Sequence, residues 1–289
     1  MKRSRLAYVA GKRVAAADAA VSIRDAALLH GLGVFETLRT YGGRPFRLTA
    51  HLARLRAGAA FLRVRIVESD ERIAAVLADL VEGSAAPDAR IRITATGGHA
   101  EGTASSRPTA ATLIVTADPL KPCASDLYER GAAAVISAIR VSEADPTLRH
   151  KTTGRARHVL ALRGARAAGA LEAIFLNSAG RVAEGTVSNI FVICGGALAT
   201  PPPEEGLLPG IARAAVLELA EELGIPVEVR PVMLEEFMAA DEMMLTNSIM
   251  EVMPVTRLEG QAVGGGKPGP VTQRLAAAYK DLVKRETRG

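Results

Sequence analysis

The chain has 289 residues, of which 48% are hydrophobic and 23% charged, so it is long enough to bury a substantial core. Its formal charge of +5 comes from scattered basic residues, and only 3% of the residues are aromatic, which argues against nucleic-acid binding. The two cysteines form no disulfide framework and show no metal-ligand spacing, and no apolar run is long enough to span a membrane. We therefore expect a cytoplasmic protein with no nucleic-acid, membrane or metal partner.

The first part of the chain mixes strands and helices. Apolar periodicity predicts a hairpin over residues 5–14, strands over 34–41, 90–96 and 112–117, and helices over 48–61 and 73–81. Thr49 is the predicted N-cap of the helix over 48–61. Two prolines in residues 118–122 predict a linker, so we expect a small α+β domain over residues 1–120 and a larger domain over 121–289.

The second part of the chain continues the mixture. The pattern predicts strands over residues 133–139, 173–176, 189–193, 197–200, 227–229 and 242–246, and helices over 155–168, 211–223 and 271–284. A turn over 178–180 is predicted to join the strands over 173–176 and 189–193. Because strands and helices do not alternate strictly, the expected fold class is α+β, with mixed α/β domains as the alternative.

Lys151 is the first residue that indicates chemistry. It lies directly before a predicted helix, and Arg149, His150 and Arg155 are close to it in sequence. A lysine amine is a nucleophile only when it is deprotonated, and burial and neighbouring cations favour that form. A lone lysine is normally a solvated surface group, so the interpretation of Lys151 depends on the motifs that accompany it.

Glu184 is flanked by small residues and precedes an apolar strand, which predicts a position near the core. A buried carboxylate needs a cationic or hydrogen-bonding partner, and a protonated ring nitrogen is one such partner. The alternative is a turn glutamate in solvent.

Two segments have features of an anion site. Gly210 precedes a helix that starts at Ile211, and a helix N-terminus offers unpaired N–H groups and a positive dipole end. Thr246, Asn247 and Ser248 end a predicted strand with hydroxyls and amides. The alternatives are an ordinary loop-to-helix junction and a polar turn.

An arginine on the helix over 48–61 is a further candidate for anion binding. Arg54 follows His51 by three residues, so both side chains share one flank of the helix. The planar fork of a guanidinium suits a phosphate dianion. A solvated helix face is the alternative.

The order of these motifs resembles the class IV, or fold type IV, family of pyridoxal-phosphate enzymes. That family contains branched-chain aminotransferases, D-amino-acid aminotransferases, (R)-amine transaminases and aminodeoxychorismate lyases. The resemblance covers residues 22–255 and is carried by His51-Leu-Ala-Arg54-Leu, Lys151-Thr-Thr-Gly-Arg155, Glu184-Gly-Thr-Val-Ser-Asn189-Ile-Phe191, Leu208-Pro-Gly-Ile211-Ala-Arg213 and Leu245-Thr-Asn-Ser248.

The resemblance implies a role for each motif. Lys151 would carry pyridoxal 5′-phosphate and move the proton during the reaction, and Glu184 would pair with the pyridine nitrogen. The residues implied in holding the phosphate, or lying near it, are Arg54, Gly210, Ile211, Thr246, Asn247 and Ser248. The resemblance also implies the two-domain α+β fold of fold type IV, with the larger C-terminal domain binding the cofactor, and a homodimer.

Substrate residues are less clearly marked. The segment over 24–39 resembles the lining of the family's substrate pocket and supplies Arg24, His30 and Phe35, while Ile249 follows the polar strand end. His30 stands where many members have an aromatic residue. No Arg-x-His carboxylate trap of the D-amino-acid aminotransferases is recognisable over residues 97–108.

Two arginines offer a substitute for that trap. Arg90 and Arg92 are two residues apart on one predicted strand, so both side chains leave the same face while Ile91 and Ile93 enter the core. A guanidinium on that face can bind a substrate carboxylate if the face lines the pocket. A solvated strand face is an equally good interpretation.

The motifs therefore predict amino transfer between an amino acid, D-amino acids included, and a 2-oxo acid, with a preference for unbranched amino acids. Phe35-Glu36-Thr37 resembles lyases and D-specific enzymes, whereas Glu251 resembles transaminases. Two alternatives stay open: a lyase that releases pyruvate and 4-aminobenzoate from aminodeoxychorismate, and a branched-chain L-amino-acid aminotransferase.

Overall fold

The computed structural model of the chain describes residues 5–84, 86, 88–99 and 109–288. The chain forms two compact units. Unit 1 comprises residues 1–121, 150–154 and 286–289, and unit 2 comprises residues 122–149 and 155–285. The short segment that contains Lys151 therefore belongs to unit 1, although residues on both sides of it belong to unit 2. The division into domains at residue 120 stays a prediction.

The strands of unit 1 are β1 Leu6–Val9, β2 Lys12–Ala15, β3 Gly33–Tyr41, β4 Arg44–Pro45, β5 Val64–Arg65, β6 Ala89–Thr96, β7 Thr109–Ala110 and β8 Leu113–Pro119. Six of them form an antiparallel sheet with the strand order β2-β1-β8-β6-β3-β4, while β5 and β7 pair with each other. The helices of unit 1 are α1 Ala26–His30, α2 Leu48–Phe61 and α3 Asp70–Ser84. Ile91 and Ile93 are fully buried in the core while Arg90 is exposed, so β6 has the alternation that its sequence predicts.

The helix α2 has the predicted bounds, but the prediction of Thr49 as its N-cap is wrong. Arg47 occupies the N-cap position with a φ of 51°, and no side chain caps the helix. A non-glycine residue in this left-handed region needs support from its surroundings. The Arg47 guanidinium donates to the Glu286 carboxylate at 2.9 Å and lies over the Phe46 ring, which ties the strained residue in place. Thr49 lies two residues after the N-cap position, too late to cap the helix.

The strands of unit 2 are β9 Ala132–Ile136, β10 Glu172–Leu176, β11 Val182–Gly185, β12 Asn189–Cys194, β13 Ala197–Thr200, β14 Val227–Val229, β15 Glu242–Asn247, β16 Glu251–Leu258 and β17 Gln261–Ala262. They form a mixed sheet with the strand order β11-β10-β9-β16-β15-β12-β13-β14, and β17 pairs with β16. The helices of unit 2 are α4 Ser125–Arg130, α5 Ala156–Ala167, α6 Ile211–Glu222, α7 Leu234–Met238 and α8 Pro270–Thr287. Ile174, Leu245 and Met253 lie at the centre of its core.

Two predictions in unit 2 are wrong in detail. The turn over residues 178–180 joins β10 to β11 rather than to β12, so Glu184 lies within a strand that pairs antiparallel with β10. The sequence of β11 is short and rich in small residues, which hides it from periodicity. The strand predicted over 133–139 ends at Ile136, because the Ser137 hydroxyl accepts from the Ile139 amide and turns the chain. Among the described residues, no helix combines the length and apolarity needed to cross a membrane.

Candidate functional site

The backbone of Lys151 is held against the sheet of unit 1. The Phe35 amide donates to the Lys151 carbonyl at 2.9 Å, and the Thr153 amide donates to the Gly33 carbonyl at 2.8 Å. The Thr153 hydroxyl donates to the Gly31 carbonyl at 2.8 Å. Residues 151–153 therefore run alongside the start of β3, which fixes the direction in which the Lys151 side chain leaves the backbone.

The Phe35 ring lies close to two cationic groups. The Lys151 amine, Nζ, is 5.1 Å from the ring centroid, and the Arg92 guanidinium carbon is 3.8 Å from it. Arg92 Nε also donates to the Thr94 hydroxyl at 3.2 Å. A cation over an aromatic face is attracted by the ring quadrupole, so Phe35 orients both side chains. Arg90, the other arginine predicted on this face, is exposed.

Arg54 and His51 both contact one buried carboxylate, that of Glu36 in β3. Arg54 donates through Nε to Glu36 Oε1 and through Nη2 to Oε2, each at 2.7 Å, and His51 Nδ1 lies 2.8 Å from Oε2. Burial by itself raises the pKa of Glu36, but the hydrogen bonds and charges of Arg54 and His51 outweigh it and hold that pKa at about 2, against an ordinary 4.5. Glu36 is therefore charged, and it fixes the plane of the Arg54 guanidinium.

His51 is the neutral member of this network. Burial lowers its pKa below the ordinary 6.5, the charges of Arg54 and Lys151 lower it further, and the bond to Glu36 opposes them. A neutral imidazole can bond a carboxylate only through a protonated nitrogen, so we assign the proton to Nδ1. The network then holds one positive and one negative charge, those of Arg54 and Glu36.

The segment with the other predicted substrate residues lies at the surface of unit 1. Arg24 and His30 are both exposed. Between them, Asp25 is buried: its Oδ1 accepts from the Ala27 amide at 2.8 Å, which caps α1, and its Oδ2 accepts from the Thr96 hydroxyl at 2.6 Å. Asp25 therefore anchors the segment. Residues 100–108, in the region searched for a carboxylate trap, lie outside the described residues.

In unit 2, Glu184 is buried and held by two hydrogen bonds. Its Oε2 accepts from the Asn189 side-chain amide at 3.2 Å and from the Leu208 backbone amide at 3.1 Å. The same Asn189 nitrogen donates to the Leu208 carbonyl at 2.8 Å. The orientation of the Glu184 carboxylate therefore depends on where β12 begins and on the loop that precedes α6.

The N-terminus of α6 is formed by Gly210 and Ile211, and no side chain caps it. A Cβ atom on Gly210 would lie 1.9 Å from Asn189 Oδ1, so only glycine fits at this position. Arg213 in the first turn donates to the Thr200 hydroxyl at 3.2 Å, which fixes the helix against the end of β13. The terminus is rigid, and its first N–H groups are not used by a capping side chain.

The end of β15 lies beside β12 in the same sheet, with Thr246 opposite Asn189. The Thr246 hydroxyl is buried and has no hydrogen-bond partner among the described residues. Asn247 Oδ1 accepts from the Ile249 and Met250 amides, both at 2.8 Å, which closes the turn that contains Ser248. Asn247 therefore shapes the turn, whereas Thr246 leaves a buried polar atom that a ligand can satisfy.

Glu36 and Asn189 contact predicted site residues, Arg54 and Glu184 respectively, but were not themselves predicted as site residues. Each is a polar residue within or next to an apolar strand. An acid or amide in such a sequence must find partners when the strand is buried, and that is the signal by which it can be found.

Comparison with known proteins identifies the family. The family described as amino-transferase class IV matches residues 33–258. A putative branched-chain-amino-acid aminotransferase of Methanocaldococcus jannaschii is 34% identical over 95% of both chains. An aminodeoxychorismate lyase of Bacillus subtilis is 31% identical over 96% of this chain and 94% of its own. A D-alanine aminotransferase of Bacillus licheniformis is 31% identical over 96% of each.

Solved structures agree with this result. The branched-chain aminotransferase of Thermoproteus uzoniensis, solved with norvaline, matches with a TM-score of 0.89 and 31% identity over 99% of this chain and 96% of its own. The PLP form of the branched-chain amino acid aminotransferase of Thermobaculum terrenum matches with a TM-score of 0.87 and 26% identity, over 99% and 96%. The predicted α+β class and fold type IV are confirmed. The chain belongs to the class IV aminotransferase family, the pyridoxal-phosphate-dependent transaminases of fold type IV.

Proposed function

We propose that this aminotransferase moves an amino group between an amino acid and a 2-oxo acid, with Lys151 carrying pyridoxal 5′-phosphate. The family and its PLP-form structural relative indicate this cofactor. The observation that carries the proposal is the fixed position of the Lys151 amine, 5.1 Å from the centre of the Phe35 ring, on a segment bonded to β3. An amine held in one direction is suited to form and break a covalent bond repeatedly.

The residues of unit 2 fit a phosphorylated pyridine. The Thr246 hydroxyl is a buried polar atom in need of a partner, and it lies opposite Asn189, against which Gly210 packs. A phosphate there would accept from Thr246 and from the N–H groups at the start of α6, beginning with Ile211. Glu184, a buried acid aimed by two hydrogen bonds, would hold the proton of the pyridine nitrogen.

Arg54 in unit 1 is proposed as a further phosphate ligand. Two hydrogen bonds to Glu36 hold its guanidinium in one orientation, and a guanidinium fixed in this way binds a dianion with little loss of side-chain entropy. Ser248 and Asn247, in the turn after β15, are proposed as phosphate ligands from unit 2, and the neighbouring Ile249 is proposed to contact the substrate.

Bound pyridoxal phosphate supplies an electron-withdrawing ring that stabilises negative charge at the substrate Cα. Lys151 Nζ would take the proton from the substrate Cα in either reaction, and its return of that proton to the cofactor C4′ would distinguish amino transfer from elimination. Glu184 would keep the ring nitrogen protonated. Arg24, His30 and Phe35 are proposed to line the place where the substrate side chain lies.

Arg92 is the proposed ligand for a substrate carboxylate. Its guanidinium and the Lys151 amine lie over the same Phe35 ring, so the cation is near the reacting amine, whereas Arg90 is exposed two residues away. We expect Arg92→Leu to raise the KM for amino acids by about 10–100-fold, the worth of a charged hydrogen bond. Arg90→Leu is the matched control and should leave the KM unchanged. Equal changes in KM for the two variants would show that Arg92 does not bind the substrate carboxylate.

The covalent role of Lys151 is tested by trapping. Borohydride reduction of the purified protein followed by peptide mass spectrometry should place the cofactor mass on Lys151. Lys151→Ala should lose that mass and the visible absorption, whereas Lys12→Ala, an exposed lysine of unit 1, should keep both. Cofactor attached to another lysine would refute the assignment.

The reaction is tested by a donor screen with paired L- and D-amino acids, branched and unbranched, and with 2-oxoglutarate or pyruvate as acceptor. We expect conversion of the pyridoxal to the pyridoxamine form with at least one pair, and unbranched donors to be preferred. No conversion with any donor, together with release of 4-aminobenzoate from aminodeoxychorismate, would instead favour a lyase activity like that named for the 31% identical Bacillus subtilis relative.

A homodimer is proposed on the evidence of exposed apolar side chains. Ile23, Leu28 and Leu29, in the anchored segment of unit 1, are 80%, 67% and 53% exposed, and such patches mark protein interfaces. Light scattering after size exclusion should give twice the mass of the chain. Leu28→Asp should shift that mass to the monomer, and Val67→Asp, at another exposed site, should not.

A further inference from the structure

Glu172, the first residue of β10, has no part in the proposed chemistry but is among the most heavily bonded side chains of unit 2. It is 1% exposed. Its Oε1 accepts from the amides of Ala173 and Thr186, both at 3.0 Å, and from the Thr186 hydroxyl. Its Oε2 accepts from the Val187 amide at 3.2 Å and from the Ser188 hydroxyl at 2.7 Å. Four of these five bonds come from the loop over residues 186–188.

That loop connects the two residues whose side chains meet in the sheet. It starts after β11, which carries Glu184, and ends at Asn189, whose amide donates to Glu184. The loop is pressed onto its anchor, since a Cβ atom on Gly185 would lie 2.2 Å from Ser188 Oγ and 2.9 Å from Glu172 Cγ. A shift of the loop would therefore move Asn189 relative to Glu184.

A buried acid is an unusual choice for a purely structural anchor. All five donors are neutral, so the carboxylate is buried without a cation among its hydrogen-bond partners. A charged acceptor forms stronger and shorter bonds than an amide oxygen, which holds the loop more tightly. Arg155 closes the loop from the other side by donating to the Thr186 carbonyl, and its guanidinium interacts with the charges of both Glu184 and Glu172.

We infer that Glu172 is a positioning residue for Glu184: it fixes the 186–188 loop, the loop fixes Asn189, and Asn189 aims the Glu184 carboxylate at the ring nitrogen of the cofactor. The inference rests on the proposed function in one respect, the pairing of Glu184 with that nitrogen. A glutamine at position 172 keeps the shape but turns an N–H group toward at least one of the loop donors, so the loop must move.

The test compares two ligands on the cofactor-free protein. Pyridoxal phosphate and its 1-deaza analogue, in which a CH group replaces the ring nitrogen, are titrated into the wild type, Glu172→Gln, Glu184→Gln and Glu242→Gln. Glu242 is the matched control, because it is also a buried carboxylate of unit 2 and accepts from the Val271 and Thr272 amides at the start of α8.

We expect Glu172→Gln to weaken binding of pyridoxal phosphate by about tenfold and to leave the affinity for the deaza analogue unchanged. Glu184→Gln should show the same pattern with a larger effect, and Glu242→Gln should lower stability without changing either affinity. Equal weakening of both ligands by Glu172→Gln, or no weakening, overturns the inference.

The outcomes separate this inference from the proposed function. If Glu184→Gln changes the affinities for pyridoxal phosphate and the deaza analogue equally, both the pairing of Glu184 with the ring nitrogen and the role of Glu172 are wrong. If the wild type binds neither ligand, the assignment of the cofactor is wrong. If Glu172→Gln does not fold, Ser188→Ala replaces it, because this change removes one donor to Glu172. Ser188→Ala should weaken the binding of pyridoxal phosphate by less than tenfold and leave the affinity for the deaza analogue unchanged.

Discussion

Replacing Glu36 with glutamine changes the charge at the centre of the buried network in unit 1. Glu36 accepts two hydrogen bonds from Arg54 and one from His51, and its side chain is fully buried. Glutamine keeps the size but leaves the Arg54 charge without its counter-ion. Removing one partner of a buried ion pair typically costs about 3–5 kcal/mol, so we expect Glu36→Gln to lower the free energy of unfolding by that amount at pH 7.

The pH dependence of this loss follows from the pKa of Glu36. That pKa is about 2 in the folded protein and 4.5 ordinarily, and one pKa unit corresponds to about 1.4 kcal/mol, so the network contributes about 3 kcal/mol. Because the folded pKa is the lower one, the contribution is complete above the ordinary value and is lost as the pH falls toward the folded value. Linkage then gives a loss of roughly 2 kcal/mol between pH 7 and pH 3.

Urea denaturation of the wild type and Glu36→Gln at pH 7 and pH 3 measures this difference. The gap in unfolding free energy between the two proteins should narrow by about 2 kcal/mol at the lower pH. Asp79→Asn is the control: Asp79 pairs with Arg13 at 2.7 Å on the surface of the same unit, and such a pair contributes about 0–1 kcal/mol. A gap for Glu36→Gln that does not change with pH would refute the assignment of the charge.

Two further changes test the elements of unit 2 that are proposed to bind the cofactor. Gly210→Ala should lower the free energy of unfolding by about 1–3 kcal/mol, because the new Cβ atom would clash with Asn189. Gly164→Ala, at an open position within α5, is the control and should raise it by about 0.5–1 kcal/mol. Equal changes in the two variants would contradict the clash. Thr246→Val should weaken pyridoxal phosphate binding by about tenfold without destabilising the cofactor-free protein. Thr272→Val is the control: it removes another buried hydroxyl that has no partner among the described residues, and it should leave the affinity unchanged. A titration that gives both variants the same affinity would exclude Thr246 from the phosphate site.

Periodicity predicted the elements that are long and bury one face. The helix α2 and the strand β6 follow from the spacing of their apolar residues, and the structure has them where the sequence indicates. The strand β11 was missed because its four residues, Val-Ala-Glu-Gly, carry no clear alternation; it pairs with β10. Thr49 has a good capping side chain, but the strained backbone at Arg47 starts the helix two residues earlier.

The candidate site shows the same division. Motifs predicted Lys151, Glu184 and Gly210 as site residues, since the sequences around them are distinctive. Glu36 orients the predicted residue Arg54, and Asn189 orients Glu184, but no local sequence pattern tells which buried polar groups will meet. The roles of the individual residues, the homodimer and the cytoplasmic location stay predictions.

The register between β12 and β15 limits how this enzyme can be engineered. Side chains along a strand alternate between the two faces of a sheet, so one residue inserted into the 186–188 loop either slips β12 by a position or swells the loop. Slippage would turn the Asn189 amide to the opposite face, and swelling would break the bonds that the loop donates to Glu172. Length changes are better tried at the opposite end of β12, where Gly195 and Gly196 form a turn with open space around them.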